Sequence, residues 1–505
     1  MSRSSLRRAV LVAMILGSTA LSAPPLAATE VTVATPDGAA LLADSLMDGI
    51  KRWLPPTPEG GGPEWGGDGK AKAEVDGDAY RVTLPALTLR TEDESRLLVG
   101  EIVMSLKPLA GGDWQLLETR LPGEIPVVDA GRKRQATLTL AQPALTGRWS
   151  ARFETFLDMD ARLNGARLTG IQDKAGLSLG PVTVKTGYTP QDDERWNGTS
   201  TVSLRDARLT DEAGVEILRL GALTADATAR HMDLARYATL NRLLQDLGGA
   251  EPDANQTAEM LGMFRGMIGA MTANAALTGF AFKNPEDGTA FAIKEAGFGW
   301  SAEDLDRNAA TLRLGFRHDG LMIHPLPGPK ELLPEGMQLS LAATGLPADD
   351  LWKTLTGFLG TVQDDEEQAD EVADLLGPQV MAMLEKAGAE LKIETLAITA
   401  PVTQGQATGA ARFDGKAAQG VTASGQVVLT GLDAAAKALK PAKGQKPDSE
   451  TQDALGIIAM IQVLGQAGKD AQGRETRTYN LELAADGRML LNGADLSTLT
   501  EGLGK

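Results

Sequence analysis

Hydrophobic and polar residues alternate along much of the chain between about Lys70 and Asp233. The runs Thr137 to Leu140 and Leu177 to Val184 show this period of two, which is typical of half-buried β-strands. Turn-forming pairs such as Asp76-Gly77 and Asn164-Gly165 separate the runs. The pattern therefore predicts antiparallel strands joined by tight turns, with one apolar face and one solvated face.

Helical spacing replaces this alternation in several places. Ala39 to Leu54 carries an apolar stripe and is followed by Pro55-Pro56, which predicts one helix that ends there. From about residue 231 onward, a strand–helix–helix–strand unit recurs with starts near 231, 346 and 432. The uneven spacing indicates a diverged structural repeat. Because an apolar sheet face needs cover, we predict an α+β, β-rich fold in which a long curved antiparallel sheet has amphipathic helix pairs inserted between its strands.

The first residues resemble an export signal. Arg3, Arg7 and Arg8 precede an apolar run from Ala9 to Ala23, which is shorter than the ~20 residues needed to span a bilayer. Small residues follow this run, as at a signal-peptide cleavage region. We expect a signal peptide at 1–28, an N-terminal helix and antiparallel β region at 29–225, and the diverged repeats at 226–505. A retained membrane anchor is the alternative for the first segment.

This pattern predicts a periplasmic protein without an integral membrane span in the mature chain. The composition narrows the function further. There is no cysteine, so disulfides, thiolate metal sites and cysteine nucleophiles are excluded. The formal net charge of -18 argues against nucleic acid, since nucleic-acid binding depends on basic side chains that neutralise phosphates.

Catalytic motifs are not found in the sequence. It has no phosphate-binding loop, no nucleophile elbow and no metalloprotease histidine pair. His318 and His324 flank Asp319-Gly320, for which a hairpin turn is favoured over a metal site because no compact set of ligands accompanies them. We therefore predict no enzymatic activity, no cofactor and no metal. A hydrolase with an unrecognised carboxylate pair remains an alternative.

Methionine and phenylalanine side chains provide the candidate ligand-binding residues. Met260, Phe264, Met267 and Met271 share one face of a helix predicted from about Ala254 to Thr272. Methionine is flexible and polarizable, and it lines adaptable apolar pockets. The four side chains therefore belong either to an ordinary core between helix and sheet or to the wall of a groove for acyl chains.

The C-terminal part resembles a family of envelope proteins. Tyr479 to Leu483, a turn at Asp486-Gly487, Arg488 to Leu491 and a final Asn492-Gly493 look like the closing hairpin of YdgA-like proteins. The strand-to-helix unit at Leu346 to Leu351 is similar too, and the layout of 226–505 resembles AsmA-like proteins of the Gram-negative envelope. The resemblance implies a secreted or anchored β-rich protein that acts in lipid or outer-membrane homeostasis. It supplies no catalytic residues.

Two functions follow as expectations. The first is a non-enzymatic periplasmic protein that binds lipid or another hydrophobic ligand in a β-groove partly covered by helices. The second is a structural or interaction module in envelope assembly with an envelope protein as partner, for which exposed strand edges would matter. The cleavable N-terminus departs from the members of the family that keep an N-terminal membrane helix.

Overall fold

The computed structural model describes residues 32–53, 61–91, 94–170, 176–191, 194–247, 254–326, 328–364, 369–440 and 448–496. The predicted signal peptide lies outside the described residues. Contacts divide the chain into an N-terminal unit that ends at Leu277 and a C-terminal unit that begins at Thr278. The predicted boundary between 225 and 226 stays a prediction.

Antiparallel strands make up most of the N-terminal unit. They are β1 (Gly62–Trp65), β2 (Lys72–Asp76), β3 (Ala79–Arg90), β4 (Arg96–Pro108), β5 (Trp114–Arg120), β6 (Glu124–Val128), β7 (Arg134–Ala141), β8 (Ala144–Ser150), β9 (Thr155–Leu163), β10 (Gly165–Gly170), β11 (Gly176–Leu179), β12 (Val182–Pro190), β13 (Trp196–Thr210) and β14 (Glu216–Met232). The next strand, β15 (Ala270–Lys283), contains the boundary between the units.

Two separate series of paired strands connect β4 to β13. One path passes from β4 through β5, β8, β9 and β12 to β13. The other passes from β4 through β6, β7, β10 and β11 to the same strand β13. The short strands are therefore halves of longer ribbons, such as β9 with β10, that are interrupted at matching positions across the sheet.

We call these positions the break line, and it includes Gln142, Asn164, Gly180 and Asp206. Gln142 and Asp206 have positive φ angles of 46° and 53°. The backbone still pairs across the interruption, because Gly180 N–H donates to the Arg205 carbonyl at 2.9 Å. Each ribbon therefore bends at the break line, while backbone hydrogen bonds between neighbouring ribbons continue there.

A helix covers one end of this sheet. α1 (Pro36–Trp53) packs Leu42 and Met47 against Tyr80, Val82 and Leu116 of the strands. The hydroxyl of Tyr80 accepts a hydrogen bond from the Thr35 N–H at 2.9 Å, just before the helix begins. The predicted helix at this position is confirmed.

Helix pairs are inserted between strands at three places in the described residues, as predicted. The first pair is α2 (Leu234–Asp246) and α3 (Ala254–Phe264), which join β14 to β15. The second is α4 (Ala348–Asp364) and α5 (Ala369–Ala387), and the third is α6 (Leu432–Leu439) and α7 (Ser449–Leu464). Among the described helices, none combines the length and apolarity needed to cross a bilayer.

The C-terminal unit contains a sheet in which most neighbours follow the order of the chain. Its strands are β16 (Ala290–Glu303), β17 (Ala310–Asp319), β18 (Met322–His324), β19 (Gly336–Leu346), β20 (Glu390–Thr399), β21 (Gln404–Phe413), β22 (Val421–Thr430), β23 (Gln466–Lys469), β24 (Glu475–Leu483), β25 (Met489–Leu491) and β26 (Ala494–Asp495). The order β16–β17–β19–β20–β21–β22–β24–β25 is antiparallel throughout. The α+β, β-rich fold with inserted helix pairs is confirmed.

Each helix pair of the C-terminal unit lies beside loops or strand residues of the sheet. Met381 of α5 approaches Gly420, in the turn between β21 and β22. The hydroxyl of Tyr479, in β24, donates to the Ile461 carbonyl of α7 at 2.7 Å. Asp448 caps the start of α7 by accepting from the Thr451 N–H at 2.8 Å, which satisfies a free donor of the first turn.

Candidate functional site

The four predicted ligand-binding residues lie on three different segments. α3 ends at Phe264, so it carries only Met260 and Phe264. The predicted continuation of the helix to Thr272 is wrong, because Gly266 has a positive φ of 67° and Met271 belongs to β15. The side chains therefore do not share one helical face.

Their exposures differ as well. Met267 is 2% exposed, whereas Phe264 is 45% exposed. Met271 packs, with Ile268, on a buried cluster that includes Leu157 and Tyr188. Met267 thus has the burial of a core residue, and Phe264 presents its ring to solvent. Ligand binding by these four residues stays a prediction.

A larger apolar surface lies on the sheet of the C-terminal unit. Side chains of directly paired residues in antiparallel strands leave the same face of a sheet. One cross-strand row from β16 to β24 consists of Phe298, Phe316, Leu339, Leu396, Ala407, Val427 and Tyr479. Every member of this row is apolar or aromatic.

Two neighbouring rows on the same face continue the pattern. The second row is Trp300, Leu314, Leu341, Ile393, Gly409, Gly425, Leu481 and Leu491. The third row is Ala302, Leu312, Ala343, Leu391, Ala411, Ala423, Leu483 and Met489. We call these three rows the apolar face. No charged residue occurs in them.

Most of the large side chains of the apolar face are only partly covered, although Tyr479 and Leu491 are buried. Phe298 is 45% exposed, Leu314 is 40% exposed and Leu391 is 47% exposed. In the described part of the C-terminal unit, most buried apolar residues are alanines, such as Ala302 and Ala342. The clusters of large buried side chains belong instead to the N-terminal unit. The apolar face is therefore not the interior of a filled core.

The opposite face of the same sheet is polar and holds ion pairs. Arg317 contacts Glu295 at 2.6 Å, and Glu390 lies 2.7 Å from Lys392 and 3.0 Å from Arg412. These two bases lower the pKa of Glu390 by donating hydrogen bonds to it. The alternation of apolar and polar residues along the strands therefore gives this sheet one apolar face and one polar, charged face.

A shallow depression of about 600 Å³ lies over the paired glycines Gly409 and Gly425. Its walls include Lys392, Glu394 and Glu482, whose positions alternate with those of the apolar face. The depression therefore opens on the polar face. Ile393 and Leu481, which belong to the apolar face, also contribute to its lining.

The hydrolase alternative requires two carboxylates close together in a buried cleft, at least one with a raised pKa. Among the described residues, the carboxyl group whose pKa is raised is Asp158, and burial is the main cause. Its neighbour at 3.8 Å is the Arg148 guanidinium and not a second carboxylate. Within the same residues, no group of three or more potential metal ligands is found.

Comparisons with known proteins add no relative, since no family model, curated protein or solved structure matches the chain. The resemblance to YdgA-like and AsmA-like proteins accordingly stays a prediction.

Sequence reasoning missed the apolar face as a site. Its signal was present in the alternation of β16 and β17, where Phe298, Trp300, Leu314 and Phe316 alternate with glycine and polar residues. The sequence does not show whether another element covers such a face. The exposed fractions of the side chains show that the face is only partly covered.

Proposed function

We propose that this protein is a non-enzymatic, exported protein of the cell envelope that binds a lipid or another hydrophobic ligand on its apolar face. The single observation that carries the proposal is the partial exposure of large apolar side chains across three adjacent rows, including 37% exposure for Phe316 and 40% for Leu314. Extended apolar surface in contact with water is unfavourable. Soluble proteins seldom expose a contiguous patch of this kind unless it binds something.

The dimensions of the apolar face favour acyl chains over a compact ligand. From Phe298 to Val427, short of the buried Tyr479, the row crosses six strands, and five strand spacings of about 4.8 Å give about 24 Å along the sheet. A strip of this length suits an extended hydrocarbon chain. Because the rows contain no charge, they favour the hydrocarbon part of an amphiphile, with its polar group outside them.

Lipid analysis of the protein from its native envelope tests the proposal. The protein would be purified without detergent exchange, extracted with organic solvent, and its extract compared by mass spectrometry with that of a Phe298→Asp/Phe316→Asp double variant. Bound phospholipid or fatty acid in the native protein, and its loss in the variant, is the expected result. Native protein that is folded and free of lipid would contradict the proposal.

A separate observation favours the second candidate, an interaction module. Ile457, Met460 and Val463 of α7 are 54%, 44% and 83% exposed, and their spacing places them on one side of the helix. Helices dock into grooves of partner proteins through such stripes. Crosslinking in intact cells from a photoreactive residue at position 460 tests this role. A defined protein adduct would support it, and adducts with lipid alone would favour the first function.

A further inference from the structure

Three arginines occupy a single cross-strand row in the N-terminal unit. Arg167 in β10 pairs with Ser178 in β11, Ser178 pairs with Arg208 in β13, and Arg208 pairs with Arg219 in β14. Their side chains therefore leave the same face of the sheet. We call these four residues the arginine row.

The arginine row lies on the polar face of its sheet. Each of the four residues of the arginine row has a leucine next to it in the sequence. These leucines form a neighbouring row on the opposite face, made up of Leu168, Leu177, Leu209 and Leu218. Arg167, Arg208 and Arg219 are all exposed. Beyond Arg167 the row continues with Thr139 and then Glu124, two strands away from the arginine.

These arginines have no carboxylate partner among the described residues, a feature that they share with Arg81, Arg152 and Arg205 but not with several other arginines. Arg120 pairs with Glu118 at 2.8 Å, and Arg162 pairs with Asp160 at 2.6 Å. Across the residues that the structure describes, no ion pair joins Arg167, Arg208 or Arg219 to an acid.

The register also places like charges together. Arg208 and Arg219 are directly opposite each other, an arrangement that destabilises a strand pair. Neither residue gains a compensating ion pair from the described fold. An anionic ligand bound across the row would supply the missing counter-charge.

We propose that the arginine row binds a ligand that carries two or more phosphate groups. Each guanidinium can hold a phosphate through two parallel hydrogen bonds, and the Ser178 hydroxyl can donate another between Arg167 and Arg208. Three strand spacings separate Arg167 from Arg219, which is about 14 Å. One phosphate cannot reach across this distance, so the row fits a polyphosphate or the headgroups of an anionic lipid. The site lies on a different unit from the apolar face, and it goes beyond the proposed function.

The test uses the full chain and two probes, inorganic tripolyphosphate followed by calorimetry and phosphatidylglycerol vesicles followed by co-sedimentation. Phosphatidylcholine vesicles control for apolar binding. The variant Arg167→Gln/Arg208→Gln/Arg219→Gln is compared with Arg120→Gln/Arg162→Gln/Arg307→Gln, which changes the net charge equally but removes arginines that are paired with acids. Thermal melting confirms that both variants fold.

We expect binding of at least one phosphate probe that the arginine-row variant weakens tenfold or more and the control variant changes less than twofold. Added salt should weaken this binding. Binding of tripolyphosphate alone identifies a soluble polyanion as the source, and binding of phosphatidylglycerol alone identifies lipid headgroups. Failure of both probes to bind, or an equal effect of the two variants, would overturn the inference. Neither result bears on the apolar face, which the hydrocarbon probes test separately.

Discussion

Placing a carboxylate in the centre of the apolar face should weaken hydrophobic binding strongly. Phe316 is 37% exposed, so a ligand that covers it removes about 75 Å² from water if an aromatic residue offers ~200 Å². At about 25 cal/mol per Å² this burial contributes about 2 kcal/mol, which is about a 20-fold difference in affinity. Phe316→Asp removes that contribution and also buries a charge under the ligand. We therefore expect a loss of at least about 20-fold.

Titration with a dansyl-labelled fatty acid measures this loss, because the fluorescence of the probe rises in an apolar environment. Gln338→Asp is the matched control: it adds the same charge on the neighbouring strand, but Gln338 is exposed on the polar face. Its affinity should stay within twofold of the native value. The reasoning would be refuted if the two variants bound the probe equally well, or if both lost binding equally while still melting cooperatively.

Three further predictions concern the N-terminal unit. Leu116→Ala removes a side chain that is 2% exposed beneath α1 and should lower the free energy of unfolding in urea by about 2–5 kcal/mol. A loss below about 1 kcal/mol, roughly the cost of a mild core change, would mean that the cluster is not tightly packed. Gly180→Ala should lower the melting temperature, because its Cβ would lie 2.7 Å from the Arg205 carbonyl oxygen. Gly123→Ala is the control: its Cβ would have no atom within 4 Å, so the melting temperature should not change. Equal melting temperatures for the two variants would contradict the close approach at the break line. Burial holds the pKa of Asp158 above its ordinary value of 3.8, so the folded state favours the protonated form. The stabilisation of the fold by this protonated form is present at low pH and is lost as the pH rises through the folded pKa. Asp158→Asn should therefore raise the melting temperature at neutral pH, with a difference that disappears in acid; a variant that is less stable at neutral pH would show that attraction to the neighbouring guanidinium outweighs burial.

The secondary structure of this chain is well encoded by its local pattern. Alternation at Thr137 to Leu140 predicted β7, and apolar spacing followed by prolines predicted α1. The helix-pair insertions were also predictable, because each begins where alternation ends. These features depend on neighbours within a few residues, which a single sequence displays directly.

The break line was missed although it left a signal. Apolar positions are three residues apart where a ribbon crosses the line, as in Leu204 and Ala207 of β13 or Leu220 and Leu223 of β14. An uninterrupted strand would turn one member of each pair to the polar face. A kinked residue such as Asp206, with a positive φ of 53°, restores the face. The alternation of Leu177 to Val184 instead predicts one uninterrupted strand, which is wrong, because β11 ends at Leu179 and β12 begins at Val182.

The candidate sites were less predictable because they depend on long-range register. Met267 and Phe264 look equivalent on a helical projection, yet the turn at Gly266 buries one and exposes the other. The arginine row joins residues that are up to 52 positions apart, from Arg167 to Arg219. No local spacing relates them, and only the pairing of four strands brings them into one row.

Photoaffinity labelling tests the central claim of a ligand-binding apolar face most directly. The purified chain would be irradiated with a diazirine-labelled fatty acid, digested, and its adducts mapped by mass spectrometry. We predict adducts at residues of the apolar face, such as Leu314, Phe316 and Leu391, and competition by unlabelled fatty acid. Adducts spread equally over both faces of the C-terminal sheet, or labelling that unlabelled fatty acid does not reduce, would contradict the claim.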